Sequence, residues 1–156
     1  MSKLSFEIDI DVASNLWPVH APVREWVREA ISAVLGQLEP SERGELSVVF
    51  TDDTHIRQLN RDFRNKDKAT NVLSFPTPFP ERLQGDIILA YETIEKEAGE
   101  KRAALRDHVV HLLIHGFLHL HGYDHQEAPR AQVMEAIEIR ALETLGIDNP
   151  YEISES

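Results

Sequence analysis

The sequence lacks cysteine and long apolar runs, and each absence excludes a class of protein. None of its 156 residues is cysteine, which excludes disulfides, thiolate metal ligands and cysteine nucleophiles. No apolar run approaches the roughly 18 residues that a membrane-spanning helix needs. The first residues pass directly into a strand-like pattern without an apolar signal segment. The sequence therefore predicts a cytoplasmic protein with no membrane partner.

Basic residues are also scarce. The chain has 16 Lys and Arg against 27 Asp and Glu, which gives a formal net charge of −11. Non-specific binding to nucleic acid rests on many lysine and arginine contacts with phosphate, so this balance excludes a protein that coats nucleic acid. We expect no DNA partner, and any RNA binding needs a local basic patch.

The length and composition suit one globular domain. A chain of 156 residues with 42% hydrophobic residues can bury a core, whereas two equal halves would each be marginal. We therefore predict a single domain over residues 1–156. The acidic tail, residues 149–156, is a candidate for disorder.

Hydrophobic periodicity predicts the order strand, helix, strand, helix, strand, strand, helix, helix, with no internal repeat. The predicted strands are 4–12, 45–50, 72–75 and 87–90. The predicted helices are 22–38, about 53–63 with Asp52 or Asp53 as cap, about 103–121 and about 129–145 with Gly146 as stop. The expected fold class is α+β, with one mixed sheet of about four strands covered by about five helices.

A run of histidines in the C-terminal half is typical of a metal site. His115 and His119 are four residues apart on an otherwise apolar helix, so their imidazoles face the same way. Gly122 allows the chain to leave the helix in the left-handed conformation, and the turn can bring His125 to the same ion. Three imidazoles leave a fourth zinc position for water, which favours a catalytic ion. Zinc is the predicted cofactor, one per chain, although nickel or copper also accepts imidazoles.

The same spacing occurs in the metzincin peptidases, where a glutamate follows the first histidine. That position is Gly116 here, so the general base of a peptidase is missing. A metallopeptidase is therefore an alternative interpretation, not the favoured one.

Three further histidines of this helix receive separate predictions. His111, one turn before His115, is either a partner of a metal ligand or a packed core residue. His108 is predicted to be solvated. His121 lies on the opposite side of the helix from His119 and is excluded as a ligand.

The most basic segment, residues 57–68, contains five basic and two acidic residues. Such a segment by itself is typical of a solvated helix face. Here it includes Arg64, whose planar guanidinium suits phosphate oxygens.

The chain resembles the YbeY-like bacterial rRNA-maturation endoribonucleases. The run from His115 to His125 looks like the family's H-G-x-L-H-L-x-G-Y-D-H at every fixed position. Residues 63–67, 72–76 and 85–87 look like further family motifs. The chain departs modestly from the family at three loop positions: Asn65, Ala69 and Asn71.

This resemblance implies that His115, His119 and His125 bind zinc and that Arg64, with His115, belongs to the catalytic site. It implies a zinc-dependent endoribonuclease that cuts single-stranded RNA in 16S rRNA 3′-end maturation and 70S ribosome quality control. The ribosome or ribosomal proteins are the implied partners. A ribosome-associated module that binds zinc without catalysis is a further alternative, because so acidic a protein would search RNA poorly alone.

The expected chemistry combines metal and arginine. Zinc lowers the pKa of its water, while Arg64 stabilises the charge of the phosphate in the transition state. The general base stays open, since neither Asp86 nor Asp124 can be placed from sequence. Attack by water and attack by the substrate's own 2′-hydroxyl both stay open.

Overall fold

A computed structural model of the protein describes residues 6–38, 44–76, 83–122 and 128–151. The strands are β1 (Phe6–Val12), β2 (Gly44–Thr51), β3 (Val72–Pro76) and β4 (Leu83–Ala90). The helices are α1 (Val23–Leu35), α2 (Asp53–Arg64), α3 (Tyr91–Lys101), α4 (Leu105–Leu120) and α5 (Ala128–Thr144). In these ranges, no helix is both long and apolar enough to cross a bilayer.

The four strands form one mixed sheet in the order β1-β2-β4-β3. Strands β1, β2 and β4 run parallel, and β3 pairs antiparallel with β4 at one edge. In this register Val48 lies beside Ile87, which also lies beside Ser74. The α+β fold predicted from sequence is therefore confirmed, including the mixed sheet.

The sheet buries both faces of its β4 strand, because successive side chains point to opposite sides. On one face, Ile87 and Leu89 join the main core with residues of α1, α4 and α5. On the other face, Ile88 packs in a smaller cluster with Ile56 of α2. Helix α4 lies in the main core and is apolar on most sides for that reason.

The local sequence pattern did not predict every helix and every helix cap. Helix α3 was not assigned as an element from sequence; its only buried residues are Ile94 and Ala98, which give a weak periodic signal. Asp52 is the N-cap of α2, since its Oδ1 accepts a hydrogen bond from the His55 amide at 2.9 Å. Asp53 instead accepts from the Thr93 hydroxyl at 2.8 Å and so joins α2 to α3.

Gly116 lies where α4 packs closely against the sheet. A Cβ at this position would be 2.9 Å from Ser74 Oγ and 3.3 Å from Ile87 Cγ2. The residue that distinguishes this chain from metzincins is thus also a packing requirement, because a side chain as large as glutamate would collide with β3 and β4.

We expect Gly116→Ala to destabilise the protein by about 1–3 kcal/mol, because overpacking outweighs the better helix propensity of alanine. Gly99 of α3 is a matched control, since a Cβ there would meet nothing within 4 Å. Gly99→Ala should stabilise by up to about 1 kcal/mol. Urea unfolding monitored by circular dichroism measures both. Equal effects of the two substitutions would contradict the close approach at Gly116.

Candidate functional site

An open cleft of about 610 Å³ lies beside α4, next to the edge strand β3. Three of the residues predicted from sequence to form the site line it: Arg64, His115 and His119. The other lining residues are Asn71, Val72, Ser74, Pro76, Glu97, Lys101, His108, His111, Leu112 and Tyr151. The fold thus brings the arginine of the basic segment and the histidine pair to one cavity.

The two histidines face each other across one helical turn. The Nε2 atoms of His115 and His119 are 3.2 Å apart. Two nitrogens bound to one tetrahedral ion at about 2.0–2.1 Å would be about 3.3–3.4 Å apart, so the pair fits two ligands of one zinc-sized ion. Within the described part of the chain, no group of three His, Cys, Asp or Glu side chains could hold a metal ion. His125 and Asp124 both lie outside the described residues.

Glu138 of α5 contacts His115 and was not predicted from the sequence as a site residue. Its side chain is fully buried, and one carboxylate oxygen accepts a hydrogen bond from His115 Nδ1 at 2.6 Å. The other oxygen accepts from His111 Nε2 at 3.1 Å and from the Tyr151 hydroxyl. Helical spacing could have indicated this residue, because Glu138 lies four residues after Met134 on the same buried stripe of α5.

The surroundings of Glu138 decide its charge. Burial alone would raise its pKa, but hydrogen bonds from His111, His115 and Tyr151 outweigh burial and lower the pKa to about 2. Burial, followed by the hydrogen bond to Glu138, raises the pKa of Tyr151. The carboxylate is therefore ionised at neutral pH, whereas the tyrosine keeps its proton.

His108 and His111, which precede His115 on α4, are both buried. His111 is buried, as the packed-core alternative expected, and its Nε2 donates to the Glu138 carboxylate. The prediction that His108 is solvated was wrong. Its side chain is 4% exposed, and its Nε2 donates to Glu97 Oε1 at 2.8 Å. The Asn71 amide donates to the same oxygen at 2.9 Å, so α3 supplies a carboxylate that the sequence could not place.

Burial lowers the pKa of His108, against the opposing effect of Glu97. The unfolded chain therefore takes up a proton near pH 6.5 that the folded protein takes up only at lower pH. We expect stability to fall as the pH drops from 7.5 through this window, and His108→Gln to reduce that loss. Urea unfolding of both proteins at pH 7.5 and pH 5.5 tests this. The exposed residue His20 is the control: if His20→Gln reduced the loss equally, the effect would not come from burial of His108.

Arg64 is the last residue of α2 and lines the cleft. Its Nη2 lies 3.4 Å from the Ser74 carbonyl oxygen, and its Cζ lies 5.8 Å from the Phe75 ring centroid. Asn65 ends the helix at φ 59°, a left-handed conformation that asparagine tolerates. The other arginines of α2 form exposed ion pairs with Asp67 and Asp62.

The structure separates two other residues from the cleft. Asp86 is exposed on the opposite face of the sheet, where it lines a different depression together with Glu7, Asp9 and Glu45. His121 caps the end of α4, and its Nδ1 donates to the Phe117 carbonyl oxygen at 3.0 Å. Neither Asp86 nor His121 lines the cleft that holds Arg64 and the histidine pair.

A mixed sheet that carries a histidine pair, a buried carboxylate behind it and an arginine in one open cleft is the arrangement of a small hydrolytic enzyme. The particular family follows from sequence comparison. The chain belongs to the family described as Endoribonuclease YbeY, which matches residues 9–146.

Curated relatives match nearly the whole chain. Endoribonuclease YbeY of Rhizobium johnstonii is 43% identical over 159 residues, covering 94% of this chain and 93% of its own. The protein of the same name from Chelativorans sp. is 43% identical and covers 96% of each chain. The solution structure of TM1509 from Thermotoga maritima superposes with a TM-score of 0.60 at 21% identity, covering 96% of this chain and 98% of that one. This structural similarity supports the fold alone.

Proposed function

We propose that this protein is a zinc-dependent endoribonuclease that cuts single-stranded RNA in the cleft between Arg64 and the histidine pair. The RNA-cleaving class follows from the family, whose relatives are named as endoribonucleases. The observation that carries the metal site is the 3.2 Å separation of the His115 and His119 Nε2 atoms. His125 is the proposed third ligand, because its spacing from His119 in the sequence suits the same ion. The proposed catalytic domain comprises residues 1–156.

Different residues of the cleft have different roles in the proposed reaction. When bound, a divalent ion acts as a Lewis acid and makes water more acidic. His115 and His119 hold that ion through nitrogens that already converge. Arg64 binds the scissile phosphate with its planar, permanently charged guanidinium and stabilises the negative charge that develops on its oxygens. Arg64 contacts the Ser74 carbonyl oxygen and the Phe75 ring of β3, the edge strand that borders the cleft.

A cleavage assay with labelled RNA tests this proposal. Protein loaded with zinc should cut a single-stranded RNA, leave a duplex of the same sequence largely intact, lose activity with a chelator and regain it with zinc. Casein serves as the peptidase control. Cleavage of casein but not of RNA would establish the metallopeptidase alternative instead, and zinc binding without either cleavage would establish the non-catalytic module.

We further propose that the biological substrate is precursor 16S rRNA, cleaved at its 3′ end in the cytoplasm, with a role in quality control of 70S ribosomes. The net charge of −11 supports a ribosomal partner, because an acidic protein gains little from long-range attraction to RNA. Binding to free precursor RNA should therefore be weak, and binding to ribosomal particles should be tighter. Equal affinity for free RNA and for particles at every salt concentration would contradict a ribosomal partner.

A further inference from the structure

Glu138 is a charged side chain in the core, and its burial needs a reason. A carboxylate without exposure is costly unless its oxygens accept hydrogen bonds. Glu138 accepts three, from His111, His115 and Tyr151, so both of its oxygens are used. A hydrophobic side chain at this position would fill the same stripe of α5 without that requirement. A carboxylate at this position therefore indicates a functional role toward His115, which it contacts.

The hydrogen bond to His115 decides which ring nitrogen carries the hydrogen. The Tyr151 hydroxyl and His111 Nε2 occupy one Glu138 oxygen as donors, and the other oxygen lies 2.6 Å from His115 Nδ1, which is therefore the donor of the third hydrogen bond. In the neutral ring the lone pair is then on Nε2. This is the nitrogen that lies 3.2 Å from His119 Nε2 at the cleft. Glu138 thus selects the one tautomer of His115 that presents a lone pair to the cleft.

Tyr151 and His111 hold Glu138 in that position. The Tyr151 hydroxyl and His111 Nε2 both donate to the Glu138 oxygen that does not contact His115. Tyr151 follows α5, whereas His111 lies one turn before His115 on α4. With one oxygen occupied by two donors, the carboxylate cannot rotate away from His115 without losing both.

We propose that Glu138 is a positioning residue for His115, selecting its Nδ1–H tautomer and fixing its ring so that Nε2 can bind a divalent ion, and that Tyr151 holds Glu138 in place. Because this role concerns the ion of the proposed function, it rests on that function. Carboxylates behind metal-binding histidines are a general device, and their loss weakens metal affinity by about 10–100-fold.

Zinc affinity at a fixed pH tests the role of Glu138. We expect Glu138→Gln to bind zinc about 10–100-fold more weakly than the wild type in competition with a chromophoric chelator. Tyr151→Phe removes one donor without touching either histidine and should weaken zinc binding by less than about tenfold. Glu143→Gln is the control, since Glu143 is exposed on the same helix. Its zinc affinity should equal that of the wild type.

The tautomer supplies a readout that requires no metal and that a purely structural role would not change. In metal-free wild type, the ¹⁵N chemical shifts of the His115 ring should show hydrogen on Nδ1, and Glu138→Gln should shift the population toward hydrogen on Nε2. If Glu138→Gln does not fold, Tyr151→Phe should show the same change at smaller amplitude. Unchanged zinc affinity and an unchanged tautomer in a folded variant would overturn the proposal.

The two readouts also separate this role from the proposed function. A wild type that does not bind zinc would refute the proposed metal, whereas the His115 tautomer would still report on Glu138. A wild type that binds zinc and cuts RNA, with Glu138→Gln equal to it in affinity and tautomer, would refute only the positioning role.

Discussion

Replacing His119 with alanine should reduce cleavage of single-stranded RNA by about 10³-fold or more, because a bound ion contributes several kcal/mol and each 1.36 kcal/mol is a factor of ten. His119 supplies one of the two nitrogens that converge at 3.2 Å, and alanine offers no replacement. Single-turnover cleavage of a labelled RNA, together with the zinc content of the purified protein, measures the effect. The loss should appear in both quantities.

His121 is the matched control for this substitution. It lies two residues further along the chain, but its Nδ1 donates to the Phe117 carbonyl oxygen and it does not line the cleft. His121→Gln should therefore keep zinc and RNA cleavage close to the wild-type levels. Retention of cleavage by folded, zinc-free His119→Ala would show that the activity does not depend on the proposed metal site.

Arg64→Ala should lower kcat/KM for RNA by about 10²–10³-fold while leaving zinc content unchanged, because one charge-stabilising donor is removed from the transition state. Arg64→Lys should recover only part of this loss. Lysine keeps the positive charge but lacks the planar fork that contacts two phosphate oxygens together. Steady-state cleavage of a short single-stranded RNA by each variant supplies the measurement.

Arg61, on the same helix, is the control for charge alone. Its side chain is 53% exposed and paired with Asp62. Arg61 does not line the cleft, and an exposed pair contributes at most about 1 kcal/mol, which corresponds to about fivefold in rate, so Arg61→Ala should change kcat/KM by no more than about fivefold. If Arg61→Ala and Arg64→Ala reduced activity equally, the whole basic segment would act as an RNA-binding surface, without a specific role for Arg64.

Much of the fold followed from patterns within single elements. The alternation of apolar residues before Val12 and the helical spacing between Val23 and Leu35 are local, and both elements occur where the sequence predicts them. Helix α3 did not follow, because most of its residues are exposed and its burial depends on contacts with α4. A weakly amphipathic helix leaves too little pattern to be distinguished from a polar loop.

The candidate site, like the fold, could be predicted from the sequence only in part. The facing of His115 and His119 follows from helical spacing alone, and so does the need for a left-handed residue at Gly122, whose φ is 88°. The resemblance to the family added Arg64, which lines the same cleft as these histidines. The solvation of His108 was predicted wrongly, because its partner Glu97 belongs to the helix that the pattern did not reveal.

Helical periodicity sufficed for the histidine pair because it relates residues one turn apart through backbone geometry, which is independent of the rest of the chain. The position of Glu138 behind His115, the approach of Tyr151 and the removal of Asp86 to the other sheet face are contacts between separate elements. Such contacts depend on the order of the strands and on which helices pack against which face. Only the packed tertiary structure therefore decides which side chains surround the histidine pair.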